Sequence, residues 1–376
     1  MPDAIVCGAG AAGLAAAATL GRAGLAVTVL ERDEHVAASW RGRYDGLRLN
    51  TAGWMSTLPG YRATRRRYGE YPSRDSWIRY LEDYTGHHAI EVRFGAEVRC
   101  IQRAEHGWSV DVGGEVLTAR FVVVATGYDH DPFLPDWHGC ESFTGELIHS
   151  SAYRSPADYR GRDVLVVGPG TTGSEVASHL ANGGARRVRM ACRTPPNITA
   201  RRFMGLSVNI PGVLLDHLPS RFGDRVGRIS QRIIAGNLEP YGLGRAPDGV
   251  ATALRKRHVT PAYDDGFVAD LKAGRIEVVA AVAGFDQDDV LLADGTRIQP
   301  DVVIAATGYR RGLAGLLGGL DVLDADGVPL TSGGTQHPAA PGLFFNGYRA
   351  MLSGQLRLMR FDARAIARAV RRDSAA

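Results

Sequence analysis

Short apolar runs alternate with helix-spaced segments along this chain, and the alternation repeats. AIVC at Ala4–Cys7 leads through an alanine-rich stretch to LAVTVL, which ends at Leu30. DVLVV at Asp163–Val167 leads through a second helix-like stretch to VRMACR. Each series reads as strand, turn, helix, strand. Two further runs, ARFVVVATGY and DVVIAATGY, are near-copies, each an apolar strand stopping at Ala-Thr-Gly. GLFFNGY at Gly342–Tyr348 reads as another strand, and FDARAIARAVRR as a helix after it. In YPSRDSWIRYLEDYTGHH, Trp77, Tyr80, Leu81 and Tyr84 follow i, i+3, i+4, i+7 spacing, so they form the packed face of a helix. RVGRISQRIIAGNL also carries apolar residues at helical spacing, with arginines between them. The reading we favour is an amphipathic helix covering a core; a helix lying on a membrane surface is the alternative.

The turns between these strands and helices carry the chemistry. After the first strand stand Gly8, Gly10 and Gly13. Gly8 permits a sharp turn, Gly10 lets backbone approach a pyrophosphate, and Gly13 lets helix pack on strand. The free N–H groups at the helix start attract the anion. Glu31 follows the second strand, where a carboxylate accepts hydrogen bonds from ribose hydroxyls, and Arg32 adjoins it. A lone glycine motif is weak evidence; strand, helix, second strand and terminal acid together point to a dinucleotide fold.

The second unit repeats the pattern with Gly168, Gly170, Thr171, Thr172 and Gly173. Its second strand ends differently, with Arg193 and no acid. A carboxylate there would repel a ribose 2′-phosphate, whereas a guanidinium pairs with it, so this site reads as binding NADPH. Arg201 and Arg202 are candidates to add to that charge. Two glycine motifs imply two dinucleotides. The Ala-Thr-Gly strand ends place Thr126 and Gly127 at the first, and Thr307 and Gly308 at the second or at a domain interface. The expected fold is therefore α/β, with two Rossmann-like dinucleotide-binding domains, the first split by the inserted second. Expected boundaries are 1–155 and 301–376 for the first domain and 156–300 for the second, with a helical segment at about 204–261 roofing the substrate.

Composition narrows the setting. The chain has 376 residues, 45% hydrophobic, with 44 basic against 40 acidic residues. That size suits about two domains. The small basic excess gives no reason to expect nucleic acid, and Arg65, Arg66 and Arg67 read as a solvated loop. Cys7, Cys100, Cys140 and Cys192 form no CxxC pair, which argues against a disulfide framework or a thiol redox centre. No metal site is expected. Without a signal-like or membrane-spanning run, a cytoplasmic location fits, and a homodimer is left open.

Between the two glycine motifs lies FTGELIHSSAY, which matches the pattern F-x-G-x-x-x-H-x-x-x-Y through Phe143, Gly145, His149 and Tyr153. By this motif and its place the chain resembles the class B flavin monooxygenases, over essentially its whole length. SWRGRYDGLRLNTAGWMSTLPGY resembles the flavin-contacting segment of flavin-containing monooxygenases, with Trp40, Arg41, Asn50 and Thr51 at the recurring Trp-Arg and Asn-Thr positions. HVTPAYDDGFVADLKAGRIEVV and the ATGY strand ends are similar to those of the plant YUCCA enzymes.

The resemblance implies FAD in the split domain and NADPH in the inserted one, with the linker motif organising the two. It implies that NADPH reduces the flavin, that O₂ adds at C4a, and that the resulting (hydro)peroxyflavin passes one oxygen atom to a small organic substrate. Asn50 is the candidate catalytic residue, because its amide donates and accepts hydrogen bonds without acting as an acid. Tyr153-Arg-Ser-Pro in place of a Trp-centred ending favours N- or S-oxygenation or YUCCA-like oxidative decarboxylation of a 2-oxo acid. CRTPP at Cys192–Pro196 resembles Baeyer–Villiger enzymes and keeps that chemistry open. A two-domain reductase that passes electrons onward is the alternative from another class.

Overall fold

The computed structural model describes residues 2–203 and 206–375, so Met204, where the expected roof segment starts, lies outside the described residues. The chain forms two compact units. One comprises Met1–Gly42, Gly46–Asp131 and Tyr309–Ala376; the other comprises Arg43–Asp45 and Pro132–Gly308.

The first unit is built on a five-stranded sheet ordered Leu343–Phe345, Phe121–Val124, Ala4–Cys7, Val27–Leu30, Val92–Arg93. All four pairings are parallel. A central parallel strand is covered on both faces, which is why AIVC is apolar at every position. Ala4 and Val6 face one core with helix Ala11–Arg22, while Ile5 and Cys7 face another with Trp108 and Val110. That second core is closed by a three-stranded antiparallel sheet, Val98–Ala104, Gly107–Val112 and Glu115–Ala119. Helix Arg74–His87 buries Trp77, Tyr80, Leu81 and Tyr84 as their spacing requires, and Ser73 caps it by accepting the Ser76 N–H. The C-terminal helix, Gln355–Ala375, packs along Ala11–Arg22, with Thr19 Oγ1 donating to the Ala363 carbonyl at 3.1 Å. Arg65–Tyr68 is one helical turn rather than a loop, with its arginines still facing solvent; Arg65 pairs with Glu70 at 3.3 Å and Arg67 with Asp83 at 2.9 Å.

The second unit has its own five-stranded parallel sheet, ordered Glu277–Val279, Arg187–Ala191, Asp163–Val167, Val302–Ala305, Glu146–His149. Helix Thr171–Gly183 follows its central strand. The register Val302↔Glu146 to Ala305↔His149 ties the second Ala-Thr-Gly strand and the motif strand into this sheet. The boundaries expected at 155/156 and 300/301 accordingly move to 131/132 and 308/309. FTGELIHSSAY is an edge strand with its flanks, not a free linker.

Between the strands Ile198–Ala200 and Ala262–Asp264 the described residues form the α-helices Asn209–Leu215, Ser220–Ile234 and Val250–Arg257. The expected core-covering role of Ser220–Ile234 does not hold for its apolar face, since Phe222, Val226, Ile229 and Ile233 are all exposed. No described helix is long and apolar enough to cross a membrane.

Candidate active site: two nucleotide cradles

Both glycine turns sit where a strand stops and a helix starts. In the first, the Gly8 N–H donates to Leu30 O at 2.7 Å; in the second, the Gly168 N–H donates to Ala191 O at 3.0 Å. Any Cβ at Gly13 would lie 1.8 Å from Gly8 O, and one at Gly173 would lie 1.8 Å from Gly168 O. Only glycine fits at those two positions. Above Gly10 and Gly170 the space is open, with nothing within 4 Å of where a Cβ would stand. Neither helix start carries a side-chain cap. Uncapped N–H groups around an open turn suit a pyrophosphate, and both turns fit one.

Glu31 is buried after the first unit's second strand. Its Oε2 accepts the Ala9 N–H at 2.7 Å and its Oε1 accepts the Asp33 N–H at 3.2 Å. A carboxylate has about four acceptor positions, so two remain for hydroxyl donors. Arg32 points to solvent beside Asp33. Arg41 donates to Val36 O at 3.3 Å and pairs with Glu82. Trp40 meets Trp77 edge to face at 6.1 Å. Asn50 is half-buried in the loop before the short helix Gly53–Ser56. Thr51 Oγ1 lies 2.6 Å from Ser56 Oγ, and its methyl fills the space beside Gly354.

Thr126 is held by Tyr348, whose hydroxyl lies 2.8 Å from Thr126 Oγ1 and accepts the Thr126 N–H at 3.0 Å. Burial pushes the Tyr348 phenol well above its ordinary value, so it stays neutral. Gly127 next to Thr126 takes a φ of +105°. Asn346 Nδ2 donates to Ala12 O at 3.0 Å, and its buried Oδ1 has no protein partner. Asn346 and Tyr348 carry no motif of distinctive spacing, since NGY merely ends a strand; their buried polar atoms come beside the first cradle only through the fold.

At the second cradle Cys192 takes the position of Glu31, immediately after the strand, and Arg193 follows it. Arg193 is exposed and makes no ion pair among the described residues. Arg201 does not add free charge, because it pairs with Glu175 at 3.2 Å and Asp265 at 2.5 Å. Arg202 is exposed but already engaged. Thr171 Oγ1 donates to Pro261 O at 3.1 Å, whereas the half-buried Thr172 hydroxyl has no partner among the described residues.

The motif residues divide structural tasks within the second unit. Phe143 packs on Phe285 at 5.1 Å, and a Cβ on Gly145 would come within 2.5 Å of the Phe143 ring. The Ser151 N–H donates to His149 Nδ1 at 3.1 Å, so Nδ1 carries no proton. His149 Nε2 then donates to Gly308 O at 3.0 Å, which holds a neutral imidazole against the second Ala-Thr-Gly end. Thr307 beside it bonds the Phe133 carbonyl. Tyr153 is fully buried, stacked 5.7 Å from Tyr159 and tilted 5.9 Å from Tyr44, with its hydroxyl unsatisfied.

Sequence patterns gave no sign of the cluster around Tyr44. Its hydroxyl donates to Glu175, the second residue after Gly173, and His179 packs edge-on against its ring at 5.6 Å. Burial pushes the Glu175 carboxyl up to about 7, opposed by its bonds to Tyr44 and Arg201.

Comparison with known proteins agrees with this geometry. Residues 5–207 match the family described as pyridine nucleotide-disulphide oxidoreductase. The chain is 38% identical over 315 residues to "Indole-3-pyruvate monooxygenase YUCCA1" of Oryza sativa subsp. japonica, covering 82% of this chain and 77% of that protein. Its fold matches a flavin-containing monooxygenase from Stenotrophomonas maltophilia with a TM-score of 0.73, 24% identity and 99% coverage of both chains. The structure titled OTEMO complex with FAD and NADP matches with a TM-score of 0.74 at 20% identity, covering 100% of this chain and 84% of that one. The chain belongs to the pyridine nucleotide-disulphide oxidoreductase family and, within it, to the flavin-dependent class B monooxygenases of the YUCCA type.

Proposed function

We propose that the chain uses FAD in the first cradle and NADPH in the second to convert a 2-oxo acid, O₂, NADPH and a proton into the acid one carbon shorter, CO₂, water and NADP⁺. The observation that carries the substrate class is the 38% identity, over 82% of the chain, to a protein named for indole-3-pyruvate. N- or S-oxygenation and Baeyer–Villiger chemistry lack a comparable observation.

Bound FAD supplies the hydride acceptor and the activation of O₂. The chain's own part is binding and orientation. The uncapped start of helix Ala11–Arg22 takes the FAD pyrophosphate, and the remaining lone pairs of Glu31 take ribose hydroxyls. Trp40, Arg41, Thr51, Thr126 and Gly127 stay assigned to the same cofactor, with Asn346 and Tyr348 fixing the turn beside it. Arg193 pairs with the NADPH 2′-phosphate while Thr172 and the start of helix Thr171–Gly183 hold its pyrophosphate. Asn50 donates an amide N–H to the oxygen being transferred and holds it away from stray protons. His149 acts as a tether for the Thr307–Gly308 end, not as an acid.

Purified holoenzyme is given an aryl 2-oxo acid, a tertiary amine, a thioether and a cyclic ketone in turn, and NADPH loss, hydrogen peroxide and CO₂ are followed. We expect CO₂ equal to NADPH consumed with the 2-oxo acid alone. NADPH consumption matched by peroxide with every compound would leave an electron-passing reductase; coupled turnover of another compound without CO₂ would replace the substrate class.

A further inference from the structure

Helix Ser220–Ile234 is mounted with its polar side inward. Asp224 accepts the N–H groups of Ala251 and Thr252 at 2.9 and 3.0 Å, and the Thr252 hydroxyl at 2.5 Å. Gln231 accepts the Ile198 N–H at 3.0 Å. Gly227 lies so close to Val250 that a Cβ would stand 2.5 Å from its side chain. These contacts fix the roll of the helix about its axis, so it cannot turn its apolar side in.

The outward side is apolar. Phe222, Val226, Ile229 and Ile233 lie at i, i+4, i+7, i+11 and are 44, 45, 53 and 62% exposed. They make one stripe about 16 Å long at 1.5 Å per residue. The neighbouring helix Asn209–Leu215 packs against this one and adds exposed Ile210 and Leu214. Along one flank of the stripe, Arg221, Arg225, Arg228 and Arg232 fall within about 60° of each other at 100° per residue. Arg221 lies over the Phe222 ring at 5.1 Å, and Arg228 bonds only the backbone carbonyl of Asp224. Among the described residues none of the four pairs with a carboxylate. The helix's one acid, Asp224, is committed inward.

An apolar stripe beside a row of unpaired guanidinium groups complements one occupant, an interface of acyl chains and anionic phosphates. A second copy packed on the same stripe would bring eight arginines together and repel itself. We infer that this helix docks the protein on anionic lipid membranes, with the stripe in the acyl boundary and the arginines at the phosphates. Such docking is peripheral and reversible, and it sits with the absence of any membrane-crossing helix among the described residues.

The test is flotation of the holoenzyme with equimolar phosphatidylcholine–phosphatidylglycerol vesicles and with phosphatidylcholine alone. We expect flotation only with the anionic vesicles, weakening as salt rises. The double variants Ile229→Ser/Ile233→Ser and Arg225→Glu/Arg232→Glu should each lower the partition coefficient about tenfold or more. Both replace exposed side chains, and unchanged thermal unfolding midpoints check that they fold. No flotation with anionic vesicles, or flotation that neither variant weakens, overturns the proposal. So does a dimer in sedimentation that Ile229→Ser/Ile233→Ser converts to monomer, which would give the stripe to a second copy of the chain.

Discussion

Glu31 and Cys192 occupy equivalent places after equivalent strands, and we propose that this one difference, with Arg193 beside it, sets the nucleotide preference of each cradle. Arg193 is exposed and unpaired among the described residues, so its charge is available to a ligand. Arg193→Ala should raise KM for NADPH by roughly 10- to 100-fold and leave KM for NADH nearly unchanged. Steady-state kinetics with both nucleotides decide it, and equal effects would remove the 2′-phosphate assignment. Asn50→Leu should leave NADPH-driven flavin bleaching under anaerobic conditions intact while raising peroxide release per NADPH consumed in air. Unchanged coupling would take Asn50 out of the oxygen step.

At the scale of elements, the motif strand shows how a family signature can be a folding device. Gly145 is glycine because the Phe143 ring lies over it and Asp301 O approaches the same space at 3.1 Å. Gly145→Ala should cost about 1–3 kcal/mol, read as a lower midpoint in urea. Phe143→Leu/Gly145→Ala should recover part of that loss, and additive costs would show that the ring contact is not the cause. Helix Thr171–Gly183 carries a second consequence through Glu175. Its carboxyl is raised from 4.5 to about 7, so between those values the folded protein holds a proton that the unfolded chain has lost. Stability from this group is therefore full below about pH 4.5, declines as pH rises, and is gone above about pH 7. Glu175→Gln should flatten the dependence of the unfolding midpoint on pH across that interval; an unaltered slope would assign it to other groups.

For the whole molecule, the proposed assignment of one nucleotide to each cradle predicts that each stabilises the chain through its own unit. NADP⁺ at 100 times its Kd should add about 2.7 kcal/mol to unfolding of the unit that binds it. Arg193→Ala should lose about half to most of that gain at the same NADP⁺ concentration and keep the gain from FAD, as followed by calorimetry. Loss of both would show that the cradles are not independent.

Much of this architecture was legible in the chain. Glycine spacing is a local steric requirement, so Gly8, Gly10, Gly13 and their counterparts Gly168, Gly170 and Gly173 could be read without a fold. Unbroken apolar runs mark buried parallel strands, and Trp77 to Tyr84 mark a packed helix face, because both periods come from local geometry. Tertiary structure alone decided what depends on partners distant in the chain. Strand Val302–Ala305 joined the second sheet through pairing with Glu146–His149, moving both domain boundaries. Arg201 was claimed by Glu175 and Asp265, and Tyr44 found Glu175 across 131 residues. Helix Ser220–Ile234 was turned outward by Asp224 and Gln231, although its periodicity alone reads as a core-covering face. Periodicity says that a helix has an apolar side; only the contacts that fix its rotation say which way that side faces.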